Sequence, residues 1–233
     1  MPDFPEVFRN LSTAQKPAKG VSVYTRFVNR PAGRALAAVA YRNGVTPNQV
    51  TLLGALCTFP ALAAVAVVPP GPVMALLVFA ALALGFALDS ADGQLARGRG
   101  EASASGEWLD HVMDVVKVVG LHTAVLVSFY RFFDLPGEAF LLVPLVFQLA
   151  AVVILFAGLL TEKLKWQTGR AAPSAPPSSL RSVLLLPVDY GTVCLSFLFL
   201  GSEDLFLVVY CALLAAHIVF MAVFLVKWFR ELS

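Results

Sequence analysis

Residues 72–97 read PVMALLVFAALALGFALDSADGQLAR, and residues 98–114 continue GRGEASASGEWLDHVMD. No charged side chain interrupts the run from Pro72 to Leu88, and then Asp89 and Asp92 arrive in quick succession. A hydrocarbon layer roughly 30 Å thick is crossed by a helix of about 20 apolar residues. In lipid the backbone must satisfy its own polar groups, which favours a helix over an open strand. On a helix, residues three or four apart share a face, so Asp89 pairs with Asp92 and Asp110 with Asp114. Two antiparallel helices turning near Gly98–Ser105 bring all four carboxylates to one end of the hairpin. Asp92 and Asp110 are then nearer the surface, with Asp89 and Asp114 about one helical turn, roughly 5 Å, deeper.

The rest of the chain follows the same rule. Of its 233 residues 58% are hydrophobic and only 14% charged, and the mean hydropathy is +0.78. Soluble domains are typically about 25% charged, so this composition points to a chain dissolved in lipid. Six stretches are long and apolar enough to span: 48–68, 72–97, 105–130, 139–160, 181–200 and 205–227. The expected fold is all-α and polytopic: residues 1–21 a polar, loosely held tail, 22–44 a juxtamembrane amphipathic helix, and 45–233 one six-helix transmembrane catalytic domain. The first 20 residues lack an apolar core, so no cleavable signal peptide is expected. Cys57, Cys194 and Cys211 all fall inside spans and read as small buried hydrophobes.

Punctuation is clear at several ends. Asn29 is the expected N-cap of the juxtamembrane helix, with Pro31 in its first turn and Gly44 past its end. Thr46 caps the first span, with Pro47 at the first helical position. Residues 69–72, Pro-Pro-Gly-Pro, turn into the second span, and the longest loop, Lys163 to Arg181, contains Pro173-Ser174-Ala175-Pro176-Pro177-Ser178-Ser179 and is expected to be flexible.

Positive charge is segregated. Arg9, Lys16, Lys19, Arg26, Arg30, Arg34 and Arg42 precede the first span; Arg97 and Arg99 follow the second; Lys163, Lys165, Arg170 and Arg181 follow the fourth; Lys227 and Arg230 follow the sixth. The other side holds Arg131 with Asp134, Glu138, Glu203 and Asp204. Basic loops face the cytoplasm, so both termini and the carboxylate cluster are expected there, in the inner or plasma membrane for a bacterial chain. Nothing in the charge pattern calls for a nucleic-acid partner.

Four ionised carboxylates at one membrane depth need compensation, because like charges 4 Å apart repel by about 4 kcal/mol at an effective dielectric of 20. Two hard divalent cations, Mg²⁺ or Mn²⁺, match an all-oxygen ligand set. If the acids were structural instead, Lys117, seven residues past Asp110 on the same face, would be its partner. Intramembrane acids are costly and usually functional. Gly85, Gly93 and Gly106 lie on the carboxylate faces and serve either close helix packing or room for a ligand. Arg97 stands where it can pair with a phosphate.

The spacing Asp89-x2-Asp92-Gly93-x2-Ala96-Arg97-x8-Gly106-x3-Asp110-x3-Asp114 resembles the signature of the CDP-alcohol phosphotransferase family. Asn29-Arg30-Pro31 and Thr46 to Thr51 look like the segments that precede the first span in members using inositol-phosphate-type acceptors. The resemblance implies a six-spanning, dimeric, metal-dependent enzyme of phospholipid synthesis. It implies that Asp89, Asp92, Asp110 and Asp114 hold the metals, with Asp114 also the general base. Gly93, Ala96, Arg97 and Gly106 would cradle the nucleotide and its phosphates, joined by Asp92, Asn48 and Thr51. The implied donor is CDP-diacylglycerol and the acceptor a phosphorylated polyol, with Lys163, Lys165, Arg170 and Arg181 as candidates to grip its phosphate. Many members place a basic residue directly after the last aspartate; here Val115 follows and Lys117 comes later, which leaves the acceptor open. The competing readings are the same chemistry with another acceptor or a CDP-linked head-group donor, and a cation-coupled transporter.

Overall fold

The computed structural model describes residues 3–15, 20–170 and 178–233, and every regular element among them is helical. Lys16, Lys19 and the loop residues 173–177, Ser174 included, lie outside the described residues.

Residues 3–15 are packed against the bundle instead of lying loose. Helix α1 (Phe4–Asn10) is capped by Asp3, whose carboxylate accepts from the Phe4 N–H at 2.8 Å. Val7 and Leu11 bury against Ala37, Ala38, Ala91 and Leu95. Phe4, Val7, Phe8 and Leu11 share one face at helical spacing, but a helix of seven residues is too short for that pattern to stand out in the sequence. Helix α2 (Arg30–Arg42) begins earlier than expected. A π-helical turn, Thr25–Asn29, runs into it, so Asn29 is buried in continuous helix and caps nothing. Ser22 supplies the start instead, its hydroxyl accepting from the Thr25 N–H at 3.1 Å. Gly44, at φ +69°, ends the element as its position foretells.

Helices α3 (Pro47–Val67), α4 (Pro72–Arg99), α5 (Ala104–Phe132), α6 (Leu142–Gln167) and α9 (Glu203–Leu232) are each long and apolar enough to cross a membrane. Thr46 and Gln49 form a reciprocal capping box at the start of α3. Gly100, at φ +69°, closes α4, and the Ser103 hydroxyl opens α5 by accepting from the Gly106 N–H at 3.1 Å. A Cβ on Gly54 would meet the Gly85 carbonyl at 3.3 Å, so these two glycines let α3 and α4 approach closely. At the opposite end of the bundle Phe129, Phe147, Phe206 and Tyr210 interlock, joining α5, α6 and α9.

The stretch 181–200 is not one helix. It breaks into α7 (Ser179–Leu184), a single 3₁₀ turn (Leu186–Val188), α8 (Tyr190–Ser196) and another 3₁₀ turn (Phe197–Phe199). Pro187 has no N–H to continue the ladder. Asp189 then starts a new helix by accepting from the Gly191 N–H at 2.8 Å. The same carboxylate accepts from Ser22 at 2.6 Å and Thr25 at 2.5 Å, which ties the break to the juxtamembrane turn. Tyr24 seats against Gly191, where a Cβ would collide with its ring. Beyond α8 the chain reaches the α3–α4 turn: a Cβ on Gly201 would meet Pro72 N at 2.9 Å, and Glu203 accepts from the Asp134 N–H at 3.1 Å. From there α9 returns, and its end pairs with the end of α6 through Glu231 and Lys165.

Candidate active site

Three helix ends build the site. The first turn of α3 offers Asn48 and Thr51, the last turns of α4 offer Asp89, Asp92, Gly93, Ala96 and Arg97, and the first turns of α5 offer Gly106, Asp110 and Asp114. Thr51 donates its hydroxyl proton to Asp92 at 2.5 Å in a buried contact, so α3 holds that carboxylate in place. A Cβ on Gly106 would lie 3.4 Å from Asn48 Oδ1, which sets Asn48 at the start of α5. One on Gly93 would meet the Arg97 guanidinium at 3.0 Å, so the arginine folds back over the glycine toward the acids. Gly85 serves helix packing, and Gly93 and Gly106 leave room.

The four aspartates converge. Asp92 lies in the electrostatic field of Asp89 and Asp110, and Asp114 in that of the same two, with Asp89 and Asp114 in hydrogen-bonding reach. Lys117 is only 5% exposed. It bonds the Asp89 carboxylate and lies 3.3 Å from Asp114 Oδ1. One buried cation thus reaches an acid on each of the two helices, α4 and α5. The Arg97 guanidinium, in the field of Asp92 and Asp110, adds a second cation beside the outer pair. Asp110, His111 and Asp114 offer ligand atoms that all lie within 4.8 Å of one another. The fit to a divalent ion rests on the carboxylate oxygens of Asp110 and Asp114, with a His111 nitrogen beside them. His111 was not legible as a participant: it sits one residue past Asp110, and the motif assigns it no role. Its ring lies 3.7 Å from Asp110 Oδ2.

The basic residues divide. Lys165 pairs with Glu231, and the Arg170 guanidinium donates to the Leu232 carbonyl, so both are engaged by the end of α9. Lys163 and Arg181 are exposed. Among the other basic groups, Arg30 lies in the field of both Arg97 and Arg26. Burial first, and then these two neighbours, hold the Arg30 guanidinium below its ordinary value. Arg99 takes no part, because it donates to the Tyr41 and Val45 carbonyls at 2.8 Å and caps the end of α2.

Below the acids lies a cavity of about 280 Å³. Asp89, Asp114 and Lys117 line it together with apolar walls that include Phe86, Leu121, Ile154 and Val193. His122 and His217 also line it. Each has one ring nitrogen satisfied, His122 by the Tyr210 hydroxyl at 2.5 Å and His217 by the Leu213 carbonyl at 2.9 Å. Both are buried residues with partners, as histidines on apolar helices usually are.

No curated protein matches the chain. The family model for CDP-alcohol phosphatidyltransferases matches residues 44–228, which takes in α3 to α6 whole, most of α9 and every motif residue from Asn48 to Asp114. The spacing of acids first read along α4 and α5, the carboxylates gathered at one end of the hairpin and this match agree: the chain belongs to the CDP-alcohol phosphatidyltransferase family.

Proposed function

We propose that the chain transfers a phosphatidyl group from CDP-diacylglycerol to the hydroxyl of a phosphorylated polyol of the inositol phosphate or glycerol phosphate class, releasing CMP. The single observation that carries this reading is the convergence of Asp89, Asp92, Asp110 and Asp114 beside Thr51, Gly93, Arg97 and Gly106. The four aspartates would hold two Mg²⁺ or Mn²⁺ ions. Such ions, when bound, offset the charge on the diphosphate and on the oxygens entering and leaving phosphorus.

The chain's own residues do the rest. Thr51 fixes the Asp92 carboxylate through its 2.5 Å hydrogen bond. Gly93 and Gly106 leave the backbone open to the nucleotide, with Asn48 at its side and Ala96 too small to obstruct it. Arg97 turns its two terminal nitrogens toward the diphosphate, a bidentate geometry that lysine does not offer. Asp114 takes the proton from the acceptor hydroxyl. That oxygen bonds to the β-phosphorus as the bond to the CMP oxygen breaks, and CMP leaves with the electron pair. Arg30, in the field of Arg97, and Arg26 near Arg30 are the better candidates for the acceptor phosphate. Of the residues first considered, Lys163 and Arg181 stay available, while Lys165 and Arg170 are engaged by α9.

The protein would act as a homodimer with six crossings, both termini and the active site facing the cytoplasm. The broken stretch 178–202 supports a sixth crossing, because it joins the α6 side of the bundle to the α3–α4 turn. The segregation of basic residues supports the orientation. A second reading, a CDP-linked head group passed to a lipid alcohol, is favoured by one observation: the apolar cavity opens directly beside Asp114.

One assay separates the two. Purified protein is given either CDP-diacylglycerol or a CDP-linked head group, each with soluble polyol phosphates or with diacylglycerol, and CMP release is measured with and without chelator. The first reading expects release only with CDP-diacylglycerol and a polyol phosphate, lost in chelator and restored by Mg²⁺ or Mn²⁺. No CMP release from any pairing would refute both.

A further inference from the structure

Residues 3–15 lie outside the 44–228 stretch that matches the family, yet they touch the motif itself. Arg97 donates its Nε–H to the Ala14 carbonyl at 2.5 Å, across a sequence separation of 83 residues. The carbonyl is held out by a series of tight turns: Ser12 N–H donates to Arg9, Thr13 N–H to Asn10, and Ala14 N–H to Leu11 at 3.2 Å. Those turns are anchored in their own right. Leu11 is 2% exposed and lies over Gly98, where a Cβ would collide with its side chain. The Phe8 ring lies 4.1 Å from the Arg34 guanidinium, and the Gln15 amide reaches Gln94 at 3.4 Å. The arm therefore rests on the residues that flank Arg97, with Gln94 on one side and Gly98 on the other.

The chemistry follows from the shape of the guanidinium. It has five N–H donors in a rigid fork, and the bond to Ala14 uses the one on Nε. Nη1 and Nη2 remain, and they lie over Gly93, on the side of α4 that carries Asp89 and Asp92. A free arginine samples many rotamers, and freezing one on binding costs roughly tenfold in affinity. With Nε tied in advance, that ordering is done before the ligand arrives.

We infer that residues 3–15 form a positioning arm: the Ala14 carbonyl holds Arg97 so that its two terminal nitrogens face the diphosphate of the CDP substrate. This rests on the assignment of Arg97 to the donor made above. Ala14 is a positioning residue here, because it acts through Arg97.

The test uses the full chain in detergent or nanodiscs and a double-mutant cycle, read by the Kd for CDP with Mg²⁺ and by the KM for CDP-diacylglycerol. The arm is released by deleting residues 1–15, or more gently by Leu11→Ala. Arg97→Lys keeps the charge but has no Nε–H to give to Ala14. Releasing the arm is expected to raise both the Kd for CDP and the donor KM about tenfold, with kcat changed less than about twofold and the acceptor KM unaltered. In the Arg97→Lys background, releasing the arm should change nothing further, since the residue it acts through is gone. An equal penalty in both backgrounds would assign the arm to general stability and overturn the inference, as would a fall in kcat with donor KM unchanged. If Arg97→Lys alone leaves CDP binding unaltered, the donor assignment of Arg97 fails, and the arm's role falls with it. Absence of CMP release from the wild type, with the Kd pattern intact, would refute the reaction and leave the arm standing.

Discussion

Replacing Lys117 by Met tests the charge balance at its most buried point. Lys117 is 5% exposed and pairs with both Asp89 and Asp114, whose carboxylates are in hydrogen-bonding reach of each other. Methionine keeps the length and apolar stem while removing the cation. Two carboxylates about 4 Å apart repel by about 4 kcal/mol at an effective dielectric of 20. Breaking a buried ion pair from one side typically costs about 3–5 kcal/mol. Taking about 4 kcal/mol, and roughly 2–4 °C per kcal/mol for a chain of this size, Tm should fall by roughly 8–16 °C in chelator.

The same variant makes a second, opposite expectation. Lys117 competes with any divalent ion for Asp89 and Asp114, so its removal should strengthen metal binding. Added Mn²⁺ or Mg²⁺ should then raise the Tm of Lys117→Met by more than it raises that of the wild type. At 100 times Kd the gain approaches about 2.7 kcal/mol, enough to recover most of the loss. Thermal unfolding of detergent-purified protein, with and without metal, reads both effects. Equal Tm values in chelator would show that Lys117 does not balance the acids. A metal-induced shift no larger than in the wild type would mean that the ions bind away from Asp89 and Asp114.

Asp114→Asn preserves shape while removing the proposed base, so CMP release should fall by about 10²–10⁴-fold while CDP-lipid binding stays measurable; near-normal turnover would remove the assignment. Single cysteines at Arg99 and Asp134 should be labelled by an impermeant reagent from opposite sides of the membrane, Arg99 from the cytoplasm. Labelling of both from one side would refute the topology.

Hydropathy and spacing carried the fold as far as lipid dictates it. Five long helices stand where apolar runs predict them, because each run must bury its backbone polar groups by itself. The gathering of the acids was legible for a similar reason: intervals of three and four on a helix place side chains on one face, whatever the surrounding structure. The charge partners were not. Lys117 stands seven residues from Asp110 and shares its face, yet it bonds across to Asp89 on α4. Helical spacing describes neighbours on the same helix and is silent about which side chain faces it from the next one. The arm at residues 3–15 was missed on the same ground, since its contacts with α2 and α4 are long-range and its own helix is only seven residues long.

The break at Asp189, between Pro187 and Gly191, shapes one wall of the cavity beside the acids. Residues 181–200 are apolar enough to read as one span, and Pro187 alone does not forbid that, since membrane helices tolerate proline when neighbours satisfy the freed groups. Here the neighbours come from far away in sequence. Ser22 and Thr25 donate to the Asp189 carboxylate, which in turn caps α8, and the Tyr24 ring fills the space against Gly191. The juxtamembrane turn thus makes the break affordable in lipid, where an uncapped helix end would leave buried polar groups unsatisfied. Val188, Tyr190 and Val193, which straddle the break, form one wall of the cavity beside Asp114. The Asp189 cap therefore sets where that wall stands, through contacts that reach from Ser22 and Thr25 to the start of α8.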